Sequence, residues 1–212
     1  MPNQENKLLK EVADYYGGKL RQHGETAKGV DWNGESSQYA RFEELCKLID
    51  GAGTFSVNDL GCGYGAMKDF LRQRYGDVFS YCGIDVSAEM IMTAQRRHDG
   101  DARARFVCRA APDQTADYGI ASGIFNVRQQ RLDAEWREYI ENTLHELDRT
   151  SLRGFAFNCL TSYSDEEKKR SHLFYADPLH FFDLCKRRYS RNVALLHDYE
   201  LYEFTILVKK QA

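Results

Sequence analysis

Two acids and three glycines carry the chemistry that can be read from this chain. Val57-Asn58-Asp59-Leu60 is an apolar run closing on a carboxylate, and Gly61, Gly63 and Gly65 alternate through the turn behind it. Tyr81-Cys82-Gly83-Ile84-Asp85 then repeats the pattern, a second apolar run with a carboxylate at its end. Glycines at such a turn let the backbone take positive φ, and let a ligand lie against the main chain where a Cβ would collide. An acid at the end of the next strand is placed to accept from both ribose hydroxyls, as at the carboxyl ends of strands in doubly wound sheets. The combination predicts a site for a nucleotide-type ligand.

Two ligands compete for those residues. Gly61, Gly63 and Ala66 also match the G-x-G-x-x-A fingerprint of dinucleotide binding, which would make the protein an NAD(P)-dependent reductase. Asp59 separates the templates, because a pyrophosphate beside a carboxylate in a partly desolvated cleft is repelled. S-adenosylmethionine carries no phosphate but a sulfonium and an ammonium, which an acid there would hold. The acid-x-Gly-x-Gly-x-Gly run of Asp59, Gly61, Gly63 and Gly65 resembles the first motif of the class I S-adenosylmethionine-dependent methyltransferases.

That resemblance implies S-adenosylmethionine as cofactor, the loop backbone on its methionine part and Asp85 on its ribose, followed by Val86. Met90 would lie by the adenine, or else belong to the buried face of the next helix. Where the family carries an acid after the third strand, this chain has Cys108-Arg109-Ala110-Ala111, so the backbone at Arg109 and Ala110 is the expected adenine contact. Arg41 would pair with the cofactor carboxylate or sit in a surface salt bridge, and Ser122 closes the expected cofactor set. A protein that keeps the fold and binds the cofactor without catalysis is a further reading.

Methyl transfer from a sulfonium is an in-line displacement whose donor is already activated, so alignment supplies much of the rate. A base is needed only for an acceptor that is a poor nucleophile when protonated. His23, in a glycine-rich segment, is the first candidate for one, and His172 the second. His98 and His145 are expected on helix surfaces, and His180 and His197 near the carboxyl-terminal elements. Tyr15, Tyr16 and Trp32 would form an aromatic wall over the substrate or belong to the core. Asn158 would orient an acceptor or cap a strand end.

Ser122-Gly123-Ile124-Phe125-Asn126 replaces the Asn/Asp-Pro-Pro-aromatic set of amino-methylating relatives, which argues against base or glutamine methylation. The strand ends that offer Ser122 and Asn158 lack the acids of metal-dependent relatives, and no metal site is expected. A small-molecule acceptor is the resulting expectation.

These residues need a scaffold. The 212 residues, 42% hydrophobic and 29% charged, suffice for one sizeable core, so a single domain over 1–212 is expected. It divides into residues 1–55, amino-terminal helices with a possible substrate lid, and residues 56–212, a Rossmann-like core. A net charge of −3 and short basic clusters at 168–170 and 186–188 disfavour nucleic acid. No apolar stretch reaches membrane-spanning length and the first residues lack a signal-peptide core, so a soluble, cytoplasmic protein is expected. The six dispersed cysteines read as reduced.

Helical spacing predicts a helix over Asn6 to Tyr16, stopped by Gly17-Gly18, then an irregular segment to Gly34. A helix over Ser36 to Ile49 follows, ended by Gly51-Ala52-Gly53. Strands are predicted near 56–60, 80–85, 104–108, 118–122 and 152–158. Helices are predicted near 65–75, 87–98 and 133–148, with Asp133 capping the last, and from Asp177-Pro178 to Cys185. Strands at 193–196 and 204–208 close the pattern. The fold class is α/β: a doubly wound, mostly parallel seven-stranded sheet with helices on both faces and a carboxyl-terminal antiparallel strand pair.

Overall fold

Alternating apolar runs and amphipathic helices form one seven-stranded sheet in the computed structural model, which describes residues 2–50 and 53–211. The strands are β1 (Phe55–Leu60), β2 (Phe79–Asp85), β3 (Ala104–Cys108), β4 (Ala116–Ala121), β5 (Ser151–Leu160), β6 (Asn192–Leu196) and β7 (Glu203–Lys209). The helices are α1 (Pro2–His23), α2 (Glu35–Cys46), α3 (Ala66–Tyr75), α4 (Ala88–Arg97), α5 (Asp133–Thr150) and α6 (Pro178–Arg188).

The sheet order is β3-β2-β1-β4-β5-β7-β6, with β1 to β5 mutually parallel and β7 antiparallel to both of its neighbours. Strand order therefore reverses between β1 and β4. Open parallel sheets bind ligands in the crevice outside the strand ends at such a switch point.

Successive side chains of a strand face opposite sides, so a central strand buried on both faces must be apolar nearly throughout. On β5, Phe155 and Phe157 enter one core with Trp136, Ile140, Leu144 and Leu147 of α5 and Phe181 of α6. Ala156 between them enters the other core, with Phe42 and Leu45 of α2 and Phe70 and Leu71 of α3. The four apolar α5 residues stand at helical spacing and so form one face of the helix.

Several boundaries differ from expectation, each for a local reason. Gly17-Gly18 does not stop α1, which continues to His23. Two interior glycines cost a helix about 1 kcal/mol each relative to alanine, and packing overrides that here. A Cβ on Gly17 would sit 3.4 Å from the Glu89 carboxylate of α4, so the small residue permits close approach. Arg21 donates to the same carboxylate.

Residues expected to be irregular up to Gly34 are therefore helix, a short 3-10 turn (Ala27–Val30) and a bend. Helix α2 ends at Cys46, three residues early, and the Gly51-Ala52 part of its expected stop lies outside the described residues. Asp133 is the first residue of α5 rather than its cap, and the Glu135 carboxylate accepts from the Leu132 N–H ahead of it. Asp177 does cap α6, accepting from the Leu179 N–H at 2.9 Å with Pro178 in the first position. Among the described residues no helix is long and apolar enough to cross a membrane.

Candidate functional site

The chain leaves β1 through a turn locked to β2. The Gly61 and Cys62 N–H groups both donate to the Ile84 carbonyl, at 2.7 and 3.1 Å. Gly61, Gly63 and Gly65 have φ of 78°, 54° and 89°, the left-handed region that favours glycine. The turn brings the Gly63 N–H to Asp85, whose Oδ2 accepts it at 3.0 Å while Oδ1 accepts from the Ser87 N–H at 2.8 Å. Ser87 caps α4, so the carboxylate stands between the glycine turn and a helix start, fixed by backbone donors. Each oxygen keeps a lone pair for a further donor.

Asp59 lies behind the turn, 1% exposed, and accepts from the Tyr81 hydroxyl. Burial pushes its carboxyl up to about 7; the Tyr81 hydrogen bond opposes the shift and the Asp85 charge adds to it. Burial also raises Asp85, against the Ser87, Gly63 and Val86 N–H groups that favour its ionised form.

A cavity opens on these groups, with about 890 Å³ of free space including its mouth. That is the size range of small-ligand and cofactor clefts. Asp59, Gly61, Gly63, Asp85, Val86, Met90, Arg109, Ala110 and Ser122 line it, joined by Val12, Tyr16, Val30, Trp32, Gln38, Phe42, Ile124 and Tyr139. Ser122 Oγ is buried there without a hydrogen-bond partner. Two carboxylates, one of them buried, and one unused hydroxyl suit a ligand that brings donors and positive charge. They do not suit a pyrophosphate, since the only cationic side chain in the lining among the described residues, Arg109, is 59% exposed and turned to Asp113.

A family model for a methyltransferase domain matches residues 57–150. Rv1506c of Mycobacterium tuberculosis (strain ATCC 25618 / H37Rv), an inferred methyltransferase, is 60% identical over 164 residues, 77% of this chain and 98% of that protein. The chain belongs to the class I S-adenosylmethionine-dependent methyltransferases. Its fold is shared by DhpI in the DhpI-SAM-HEP complex, at TM-score 0.66 and 16% identity over 94% of this chain and 96% of that one. It is shared too by magnesium protoporphyrin IX methyltransferase from Synechocystis PCC 6803, at TM-score 0.57 and 13% identity over 82% and 80%.

Three residues expected at this methyltransferase's site stand outside the cavity lining. Arg41 neither faces the cavity nor forms a surface pair. It is 6% exposed, and its Nε and Nη2 donate to the Glu203 carboxylate of β7 at 2.8 Å each. Gly65 serves packing: a Cβ there would lie 2.7 Å from His98 Nε2, which sits 3.1 Å from the Gly65 carbonyl. His98 is consequently not a helix-surface residue, and its ring stacks on Phe106 at 5.3 Å. His23 ends α1, with its carbonyl accepting from the Thr26 hydroxyl, and its imidazole does not reach the lining.

His172 is absent from the lining too, while Tyr16 and Trp32 of the expected aromatic wall are in it. Tyr15 instead donates to Asp31 at 2.6 Å. Asn158 points into the protein, where its Oδ1 accepts from the Gly123 N–H at 2.7 Å. Met90, 1% exposed, both packs and lines the cavity.

Val30, Gln38, Phe42 and Tyr139 were not singled out from sequence. Gln38 one turn before Phe42 on the apolar side of α2 is the signal that was there to read, a polar residue where a core position is due. Among the described residues no group of three or more His, Cys, Asp or Glu is placed to hold a metal ion.

Proposed function

We propose that this methyltransferase passes a methyl group from S-adenosylmethionine to a small-molecule acceptor inside the cavity at the β1/β4 switch point. One observation carries the reading: Asp85 is pre-oriented by the Gly63 and Ser87 N–H groups in the same cleft as a buried acid, Asp59. Asp85 would accept the ribose hydroxyls, and Asp59 would balance the ammonium. The main chain at Gly61 and Gly63 would lie along the methionine part, Val86 and Met90 by the adenine, and the backbone of Arg109 and Ala110 at its edge. Ser122 Oγ would donate to or accept from whichever polar group reaches it. The bound sulfonium supplies an electrophilic methyl.

The chain's own residues then have to align an acceptor and keep water out. Tyr16, Trp32, Val30, Phe42 and Ile124 supply apolar walls, and among the described residues no histidine or lysine joins the lining. That supports an acceptor whose nucleophile attacks without an imidazole or amine base, such as a group acidic enough to ionise unaided.

Residues 15–34 support a lid reading. A Cβ built on Gly63 would lie 3.0 Å from Val30 Cγ1, and one on Gly123 would lie 2.3 Å from the Trp32 ring, so this segment touches both walls of the cleft. Tyr15 and Lys19 on Asp31 hold the segment to itself. Trp32 stacks on Arg41, and the segment's ion pairs to the rest of the protein are exposed ones, Arg21 on Glu89 and Arg97 on Glu25. Exposed ion pairs hold with only about 0–1 kcal/mol each, few enough to be broken when a ligand enters.

Calorimetric titration with S-adenosylhomocysteine and with NAD+ tests the proposal. Saturable binding of the first alone is expected; binding of the dinucleotide alone would overturn it. A metabolite panel with labelled S-adenosylmethionine then identifies the acceptor, and a methylated macromolecule as sole product would remove the small-molecule part.

A further inference from the structure

Behind the cavity, one buried carboxylate gathers the pieces that shape its wall. Glu203 is 1% exposed and accepts four hydrogen bonds. Arg41 Nε and Asn158 Nδ2 reach Oε2 at 2.8 and 2.6 Å, and Arg41 Nη2 and Asn126 Nδ2 reach Oε1 at 2.8 and 3.3 Å. Both oxygens are thereby filled, two donors each.

Each donor is also attached to the site. Asn158 Oδ1 accepts from the Gly123 N–H at 2.7 Å, and Asn126 lies three residues further along the same turn, its Oδ1 accepting from the Leu160 N–H at 3.0 Å. The cavity-lining stretch Ser122–Gly123–Ile124 is thus pinned at Gly123 and again at Asn126 to one carboxylate. On the other side the Arg41 guanidinium lies 3.9 Å from the centre of the Trp32 ring, which itself rests on Gly123.

Such an arrangement is a poor investment in stability. Desolvating an ion pair offsets most of its attraction, and apolar replacements of similar volume are often as stable. What four convergent bonds do supply is a fixed position for everything attached to them.

We infer that Arg41, Glu203 and Asn158 are positioning residues that set Trp32 and the Ser122–Ile124 turn against the cavity, an inference that rests on the proposed use of that cavity. Arginine is suited to this where lysine is not. Its planar fork meets both carboxylate oxygens while its face stacks on an aromatic ring, and an ammonium does neither.

The test uses the full chain with Trp136→Phe, so that Trp32 is the only tryptophan. In that background Arg41→Lys keeps a charge opposite Glu203 but loses the fork and the stack. Its far-ultraviolet circular dichroism and cooperative melt should stay those of the parent. Trp32 emission should shift to the red and become more accessible to acrylamide, and S-adenosylhomocysteine affinity should fall about two- to thirtyfold.

The paired replacement Arg41→Met with Glu203→Gln removes the buried charges together and leaves an amide oxygen to accept from Asn126 and Asn158. It should fold, and should show the same loosened Trp32 and weakened binding. Parental quenching and affinity in Arg41→Lys would overturn the inference. So would their restoration in the uncharged pair, which lacks the fork and the stack while keeping an acceptor for both amides. If the parent binds no S-adenosylhomocysteine, the cavity assignment falls on its own, and Trp32 quenching alone then decides whether the network positions the ring.

Discussion

The buried acid Asp59 should make cofactor binding depend on pH in a direction that its environment fixes. Its carboxyl is raised from an ordinary value of 3.8 to about 7, chiefly by burial. An acid raised on folding stabilises the folded protein through its bound proton. That contribution is complete below pH 3.8 and is lost as pH rises through 7, up to roughly 4 kcal/mol at 1.36 kcal/mol per unit. A ligand ammonium beside Asp59 reverses the preference, because it binds the ionised carboxylate. Binding below pH 7 must therefore expel a proton, and apparent affinity should fall about tenfold per pH unit, close to a hundredfold by pH 5.

The assay is calorimetric titration with S-adenosylhomocysteine, whose ammonium stays protonated across this range, from pH 5 to pH 8. At pH 6, buffers of different ionisation heat should report close to one proton released per ligand. Asp85 is raised in the same cleft and adds its own slope, so Asp59→Asn is the control. The amide can still accept from the Tyr81 hydroxyl, and should remove the Asp59 share of the pH dependence. Affinity that is flat from pH 5 to 8, or a slope unchanged in Asp59→Asn, would refute the reasoning.

Four further outcomes follow from the geometry. Asp85→Ala removes the acceptor of the Gly63 and Ser87 N–H groups as well as of the ribose, and should weaken S-adenosylhomocysteine by roughly 2 kcal/mol or more in calorimetry, at ~1.5–3 per charged hydrogen bond. Gly65→Ala adds a Cβ 2.7 Å from the His98 ring at a φ of 89°, and should lower stability in chemical denaturation by about 1–3 kcal/mol while binding survives at saturating ligand. Hydrogen exchange should show residues 27–32 gaining protection when S-adenosylhomocysteine binds, whereas equal protection in both states would make the segment a fixed arm; His23→Ala should leave affinity unchanged.

The sheet was legible because its signals are local. Strand β3 falls on 104–108 as the alternation indicates, and the glycine turn and Asp85 meet because consecutive parallel strands align their ends. What escaped the sequence depends on partners distant along the chain. Arg41 reads as a partner for the cofactor carboxylate or a surface salt bridge until β7 delivers Glu203, 162 positions later. His98 reads as a surface residue until Gly65 and Phe106 close around it. Gly17-Gly18 reads as a helix stop because its propensity is visible and its contact with α4 is not. His23 reads as a base from its glycine-rich surroundings, but the continuation of α1 ends it outside the lining while Tyr16, two turns earlier, lies within.

The most direct test of the central claim is a crystal structure of the protein with S-adenosylhomocysteine. Both ribose hydroxyls within hydrogen-bond distance of the Asp85 carboxylate, with the methionine part along Gly61 and Gly63, is the expected result. A ligand bound away from the glycine turn, or bound there with its ribose on another residue, would contradict it.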